Sequence, residues 1–128
     1  MSEQLVIDTD VLIDYLRDHE AATAYLETCT HTLALSVISV AELYVGVRDG
    51  EERSRLDDFI SAFETLPVDA PIAIQAGLWR RSYGLSHGTG LADALIAASA
   101  SAAQATLVTL NRKHFPMLAD VLVPYSKP

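Results

Sequence analysis

Four acidic residues in otherwise apolar segments are the part of this sequence best suited to chemistry. Asp8 and Asp10 stand in LVIDTDVLIDYL, Glu42 in SVISVAELYVG and Asp93 in TGLADALIAAS. An unpaired carboxylate in a buried segment is costly or becomes protonated, so a segment built for burial seldom carries one without a reason. We therefore interpret Asp8, Glu42 and Asp93 as parts of one shared site.

Three converging carboxylates would suit a hard divalent cation. Mg²⁺ and Mn²⁺ prefer carboxylate oxygens, and Mg²⁺ often binds a substrate phosphate while only one or two protein acids hold it. Such an ion turns a water into a nucleophile and neutralises the charge that builds on a phosphodiester under attack. If the acids meet, the sequence predicts metal-assisted hydrolysis of a phosphodiester.

Each acid also has a simpler interpretation at the start of a helix. Asp10 is a suitable N-cap for a helix that begins at the next residue, with Asp8 as a turn acid before it. Ser39 and Glu42 fit the S-x-x-E capping box, and Asp93 in a first helical turn would favour the helix dipole. The shared site is favoured because one sheet edge would bring these element starts together.

Short β-like runs alternate with amphipathic helices along the chain, which predicts a mostly parallel sheet sandwiched by helices. Helices are predicted at Glu20–Thr28, from Leu91 to Ala102, and in a stretch that Gly84 and Gly88 break. The strands are predicted at Leu5–Ile7, Leu33–Ser36, Leu66–Val68, Ala105–Leu110 and Val121–Val123. The polar stretches Arg48–Arg55 and Ser82–Gly90 are predicted as loops that could line a cleft.

Length and composition predict one domain over residues 1–128, because 128 residues that are 50% apolar suffice for one core. The alternation of strands and helices makes its predicted class α/β. No apolar run is long and uninterrupted enough to predict a membrane span. The N-terminus lacks the pattern of a secretory signal. The lone Cys29 is typical of a reducing compartment, so we expect a cytoplasmic protein.

The charge is acidic, with 17 Asp and Glu against 9 Lys and Arg and a formal net charge of -8. A protein that coats nucleic acid would be basic, so bulk electrostatic binding of RNA or DNA is disfavoured. A bound divalent cation would reduce the negative charge of an acidic cluster. Any nucleic-acid contact should therefore use local basic groups within Arg48–Arg55, at Arg80 and Arg81, or at Arg112 and Lys113.

Four segments in order, LVIDTDVLIDYL, ISVAELYVGV, GLADALIAASA and LVTLNRKHF, resemble the PIN-domain ribonucleases, and within them the VapC-type toxins of bacterial toxin-antitoxin pairs. The resemblance implies a PIN-like domain with a mostly parallel sheet of about five strands flanked by helices. It also implies an endoribonuclease dependent on Mg²⁺ or Mn²⁺, with Asp8, Glu42 and Asp93 as its catalytic and metal-binding residues. The implied partners are RNA, an antitoxin whose apolar tail reaches the cleft, and a second copy of the chain.

The fourth segment departs from the pattern of this family. Many relatives carry an Asp just before the Phe, whereas this chain has His114 before Phe115. Asn111 or Asp10 would take part of the missing role, and the number of metal ions stays open. We interpret His114 as a surface histidine that caps a turn.

Three further residues near the same segment are auxiliary candidates. Thr109 could hydrogen-bond a water or phosphate near the metal, although a threonine in a β run is usually structural. Arg112 and Lys113 follow a strand end and are candidates for contacting RNA, although paired surface charges are usually solvated.

Two other classes of function stay open at this point. The D-x-D in VIDTDV resembles the opening of HAD-like phosphotransferases, in which the first Asp is a nucleophile. That family expects a Thr soon after the second Asp and a downstream Lys, but Val11 and Leu12 follow here and the lysines are Lys113 and Lys127. A non-catalytic PIN-like binding module is the other alternative. RNA cleavage that is lost in EDTA would distinguish a nuclease from the binding module, and hydrolysis of a small phosphoester would indicate the HAD-like alternative.

Overall fold

The structure, a computed structural model, describes Gln4 through Lys127. Residues 1–3 and Pro128, which the single-domain prediction included, lie outside the described residues. The strands are β1 (Gln4–Ile7), β2 (Thr32–Ser36), β3 (Glu64–Leu66), β4 (Thr106–Val108) and β5 (Val121–Leu122). The helices are α1 (Thr9–Leu16), α2 (Glu20–Thr28), α3 (Val37–Val45), α4 (Glu51–Ser61), α5 (Ala70–His87), α6 (Leu91–Ala102) and a short 3-10 helix, Arg112–His114.

The five strands form one sheet in the order β3-β2-β1-β4-β5, and every neighbouring pair is parallel. The predicted fold class is confirmed. β3 starts two residues before the predicted Leu66–Val68, and β4 is shorter than the predicted Ala105–Leu110. The strand order reverses between β1 and β4, and open parallel sheets bind ligands beyond the carboxyl ends of strands at such a point.

The central strand β1 is covered on both faces. Leu5 and Ile7 belong to a core that includes Val11 of α1, whereas Val6 packs in a second core with Ile96 of α6. Successive side chains of a strand point to opposite faces, so a strand buried on both sides reads as a continuous apolar run. A polar residue that directly follows β1 therefore lies at the most enclosed part of the sheet edge.

The first helix begins earlier than the sequence predicted. α1 starts at Thr9, and Asp8 is its N-cap, with a carboxylate that accepts the Thr9 backbone N–H at 2.8 Å. Asp10 lies inside the first turn, so its assignment as the N-cap was wrong. Because β1 ends at Ile7 and Asp8 keeps an extended backbone, Asp8 is the residue at which the helix starts.

The capping box predicted for Ser39 and Glu42 was also wrong. α3 starts at Val37, and Ser36 is its N-cap, with a hydroxyl that accepts the Ile38 backbone N–H at 3.1 Å. Ser39 is buried inside the helix, and Glu42 lies in its second turn rather than its first. Their side chains are therefore free to contact another element.

Two predicted loops are shorter than expected. α5 continues through Gly84 and ends at His87, and the next residue, Gly88, caps it with a left-handed φ of 70°. Most of the predicted loop Ser82–Gly90 is therefore helical, because a glycine inside a helix lowers its stability without breaking it. α4 begins at Glu51, so about half of the predicted loop Arg48–Arg55 is helical as well. Within the described part of the chain, no helix is both long and apolar enough to span a bilayer.

Candidate active site

Asp8 lies where the strand order reverses. It follows β1, and Thr109 follows the neighbouring strand β4. The Asp8 side chain is buried; its Oδ1 accepts the Thr9 backbone N–H at 2.8 Å, and its Oδ2 accepts the Thr109 hydroxyl at 2.7 Å. Thr109, which the sequence favoured as a structural residue, therefore contacts the central carboxylate of the candidate site.

The environment of Asp8 disfavours its charged form. The pKa of Asp8 is raised to about 7, chiefly by burial and next by the negative charge of Asp10. The charge of Asp93 acts in the same direction, while the hydrogen bonds from Thr109 and Thr9 lower the pKa. A carboxylate under these constraints would be stabilised as an anion by a bound cation.

Asp10 ties the start of α1 to the segment that follows β4. Its Oδ2 accepts the Leu110 backbone N–H at 3.0 Å and the Asn111 side-chain amide at 3.4 Å. Its Oδ1 accepts the Val11 backbone N–H at 2.7 Å. Burial raises the pKa of Asp10, and the hydrogen bonds from Leu110 and Val11 oppose that rise. The two auxiliary acid-site candidates, Asp10 and Asn111, thus contact each other.

Asp93 lies in the first turn of α6, as predicted, and it has a histidine partner. Its Oδ2 accepts the Gly90 backbone N–H at 3.0 Å and lies 3.4 Å from Nδ1 of His114. His114 is half-buried rather than the surface cap that was predicted. The 3-10 helix is held inward because Phe115 is buried and Thr89 donates its hydroxyl to the His114 carbonyl at 2.7 Å.

Glu42 approaches the other acids through Thr9. It is exposed on α3, and its Oε1 accepts the Thr9 hydroxyl at 2.7 Å; the same hydroxyl lies 2.9 Å from Ser39 Oγ. Because the Thr9 backbone N–H donates to Asp8, Thr9 contacts both acids. The sequence interpretation missed Thr9, whose signal was its position between Asp8 and Asp10 in an apolar segment.

The described side chains supply donors suited to Mg²⁺ or Mn²⁺ without forming a closed ligand cluster. From Gln4 to Lys127, no three His, Cys, Asp or Glu side chains lie close enough together to form a metal-binding group. Asp8 and Asp93 are near enough for their charges to repel, and Thr9 links Glu42 to Asp8. Mg²⁺ keeps several waters and needs only one or two protein carboxylates, so this donor set fits it.

The predicted RNA-contacting residues lie beside the site on the 3-10 helix. Arg112 and Lys113 are exposed, and Arg112 Nη2 donates to the Val121 carbonyl at 3.2 Å. Farther away, Arg48 and Arg53 each pair at 3.0 Å with an acid four residues along the chain. Lys113 is therefore the candidate whose charge is better placed to meet a phosphate.

A groove of about 420 Å³ lies between α1, α3 and α4. Its apolar lining consists of Ile13, Leu16, Leu43, Val47 and Leu56. Gly46 and four charged residues of both signs, Arg17, Arg55, Glu42 and Glu52, complete the lining. Because Glu42 also contacts Thr9, the groove runs from an apolar surface to the candidate site.

Comparison with known sequences shows a match to the PIN-domain family model over residues 5–120. Ribonuclease VapC10 of Mycobacterium tuberculosis is 39% identical over 127 residues, covering 97% of this chain and 95% of the relative. Ribonuclease VapC19 of the same organism is 38% identical over 124 residues, covering 94% of this chain and 98% of the relative.

Comparison with solved structures gives the same fold. A toxin-antitoxin complex from Klebsiella pneumoniae matches with a TM-score of 0.83 and 28% identity, covering 96% of this chain and 99% of that chain. VapBC2 from Rickettsia felis, bound to a DNA fragment from their promoter, matches with a TM-score of 0.73 and 30% identity, covering 93% and 96%. Both matches span nearly the whole chain.

Proposed function

We propose, because this chain belongs to the PIN-domain family and within it to the VapC-type ribonucleases, that it is an endoribonuclease toxin held in check by a cognate antitoxin. The observation that carries the proposal is the buried Asp8 at the β1–β4 reversal, whose pKa is raised by burial and by the charges of Asp10 and Asp93. Family membership decides against the HAD-like alternative. The acids Asp8, Glu42 and Asp93 favour catalysis over a non-catalytic binding role.

In this proposal Asp8 and Asp93 would hold Mg²⁺ or Mn²⁺, with Glu42 as the third acid of the site. A bound ion of this kind activates a water and neutralises charge on the phosphodiester. Thr109 favours the ionised form of Asp8 by donating to it, and Thr9 orients both Asp8 and Glu42. Two ions are less expected than one, since the position of a fourth acid holds a histidine.

The remaining site candidates have supporting roles. Asp10 and Asn111 fix the start of α1 against the segment after β4, so they hold Asp8 in place. Arg112 and Lys113 would meet phosphates of the RNA next to the cut bond, with Lys113 the freer of the two. We propose that the protein acts on RNA in the cytoplasm.

The groove between α1, α3 and α4 is the proposed binding site of the antitoxin. Several of the matched structures are toxin-antitoxin complexes. An apolar helical tail of the antitoxin would pack its side chains against Leu16 and Leu43. A polar residue at the end of that tail would contact Glu42. Binding there would cover Glu42, which belongs both to the groove and to the candidate site.

α5 offers a face for a second copy of the chain. Ile74, Leu78 and Leu85 are exposed to 64%, 42% and 102%, although all three are apolar. At about 100° per residue they project from one side of the helix. An apolar stripe of this kind is typical of a protein interface, so we propose that the protein forms a homodimer through it.

Thr109→Val is expected to weaken the metal site. Valine has nearly the shape of threonine but lacks the hydroxyl that donates to Asp8 at 2.7 Å. Loss of a residue that supports a metal ligand costs on the order of 10-fold or more in metal affinity. The Mn²⁺ concentration that half-saturates RNA cleavage should rise by that factor. Thr109→Ser, which keeps the donor, is the matched control, and equal Mn²⁺ requirements in the two variants would refute the role of the hydroxyl.

Expression of the wild-type protein in a bacterial host is expected to halt growth and degrade RNA, and co-expression of the cognate antitoxin should restore growth. Leu16→Asp should remain toxic but escape the antitoxin, because it places an unpaired charge in the apolar groove. The matched control is Val45→Asp, which is 88% exposed on α3 and does not line the groove. Normal growth with intact RNA under expression of the wild-type protein alone would contradict the proposed function.

A further inference from the structure

We infer that a cavity beneath the C-terminal segment binds one base of the RNA, in the nucleotide next to the phosphodiester that is cut; this rests on the proposed ribonuclease function. The cavity has a volume of about 480 Å³ and is bordered by Asp10 at the start of α1. Leu110 and Asn111 form one wall, and Val123, Tyr125, Ser126 and Lys127 form the other.

The outer wall is anchored to α1, so the cavity does not depend on a ligand to form it. The Tyr125 hydroxyl donates to Asp14 Oδ2 at 2.8 Å, and Lys127 Nζ lies 2.7 Å from Asp14 Oδ1. The Tyr125 ring stacks on His19 with centroids 5.3 Å apart and 24° between the planes. A wall fixed at both its hydroxyl and its ring loses little conformational freedom when a ligand binds.

The chemistry of the walls suits a nucleobase better than a phosphate. Leu110 and Val123 offer apolar surface to the face of a base. The exposed Asn111 side chain uses one amide hydrogen for Asp10 at 3.4 Å, and its other hydrogen and its carbonyl oxygen are offered to the edge of the base. Asp10 would repel a phosphate, and the charge of Lys127 is already paired with Asp14. Unstacked bases of single-stranded RNA are recognised by this combination of flat apolar contact and edge hydrogen bonds.

The cavity also adjoins the catalytic acids. The Thr109 hydroxyl lies 2.7 Å from Asp8 Oδ2 and 3.5 Å from Asp10 Oδ2, so one hydroxyl separates the two carboxylates. Asp8 belongs to the proposed metal site, and Asp10 borders the cavity. A base held beside Asp10 therefore belongs to a nucleotide that adjoins the phosphate at Asp8.

The test fills the cavity with an indole and measures RNA binding directly. Val123→Trp and Ser126→Trp are introduced separately into the Asp8→Asn protein, which leaves the RNA uncut during the measurement. Neither tryptophan replaces a residue that contacts Asp14. Binding of a fluorescein-labelled single-stranded RNA of mixed sequence is followed by fluorescence anisotropy. Each substitution should weaken binding about 10-fold, within the range for loss of one stacked base. Val45→Trp, 88% exposed on α3, is the matched control and should bind like the parent.

Equal RNA affinity in the cavity variants and the control would overturn the inference, and so would an Asp8→Asn parent that binds no RNA. Loss of antitoxin binding with unchanged RNA binding would assign the cavity to a protein partner and overturn it as well. In the active protein, Val123→Trp should raise KM more than it lowers kcat. If the wild-type protein binds RNA through the cavity but does not cut it, the proposed ribonuclease function is refuted and the base-binding site is still supported.

Discussion

Asp8→Asn and Asp93→Asn are each expected to lower kcat for RNA cleavage by more than about 100-fold. Substitutions of residues that only support metal ligands already cost 10- to 100-fold in activity, so loss of a direct ligand should exceed that range. Asparagine keeps the shape of the side chain but removes the charge that would hold the cation. The measurement is single-turnover cleavage of single-stranded RNA in saturating Mn²⁺, and EDTA should abolish the wild-type activity.

Folding must be separated from chemistry in these variants. Asp8→Asn should fold at least as stably as the wild type without metal, because it removes a buried charge that burial and Asp10 disfavour. Asp58→Asn, on the exposed side of α4, is the matched control and should cleave RNA normally. A folded Asp8→Asn protein with wild-type kcat would show that Asp8 is not catalytic.

The stability of the metal-free protein is expected to fall as pH rises from about 4 to about 7. The pKa of Asp8 rises from 3.8 in the unfolded chain to about 7 in the folded protein, chiefly through burial. Across that window the folded state therefore holds a proton that the unfolded chain has released, and such a state loses stability as pH increases. Above pH 7 both states are ionised and the loss levels off. Urea unfolding in EDTA at a series of pH values measures this slope.

A divalent cation should reverse this loss, because it binds the ionised carboxylate. At a 100-fold excess over Kd, a ligand that binds only the folded state adds about 2.7 kcal/mol to the free energy of unfolding. Mn²⁺ should therefore raise Tm at pH 8 and have much less effect at pH 5, where a proton occupies Asp8. Asp8→Asn should lose the Mn²⁺ effect and much of the pH slope, and the raised pKa of Asp10 accounts for the slope that remains. If Mn²⁺ leaves the Tm of the wild-type protein unchanged at both pH values, the proposed metal site is contradicted.

The sheet could be predicted from sequence because its strands are continuous apolar runs separated by helical patterns. β1 and β2 were each found within one residue of their bounds, and α2 matched Glu20–Thr28. Parallel order follows from the strand-helix alternation, and so does the placement of Asp8 at a carboxyl edge. Gly84 misled the prediction of α5 because neighbouring turns of the helix outweigh the local cost of one glycine.

The details of the site could not be predicted, because they depend on partners distant in sequence. Ser39 and Glu42 have the spacing of a capping box, but both side chains contact Thr9, some 30 residues earlier. The role of Thr109 depends on Asp8, 101 residues away. His114 faces Asp93 because the burial of its neighbour sets the direction of the 3-10 helix. Local sequence patterns do not indicate which residues that are remote along the chain come into contact.

The central claim is that Asp8, Glu42 and Asp93, remote in sequence, share one divalent cation. Crystals of the protein grown with Mn²⁺ and measured at the manganese absorption edge test this most directly. We expect one anomalous peak per chain, with Asp8 and Asp93 as ligands and Glu42 bound directly or through a water. No peak at these acids, in a protein that cleaves RNA in the same buffer, would contradict the account.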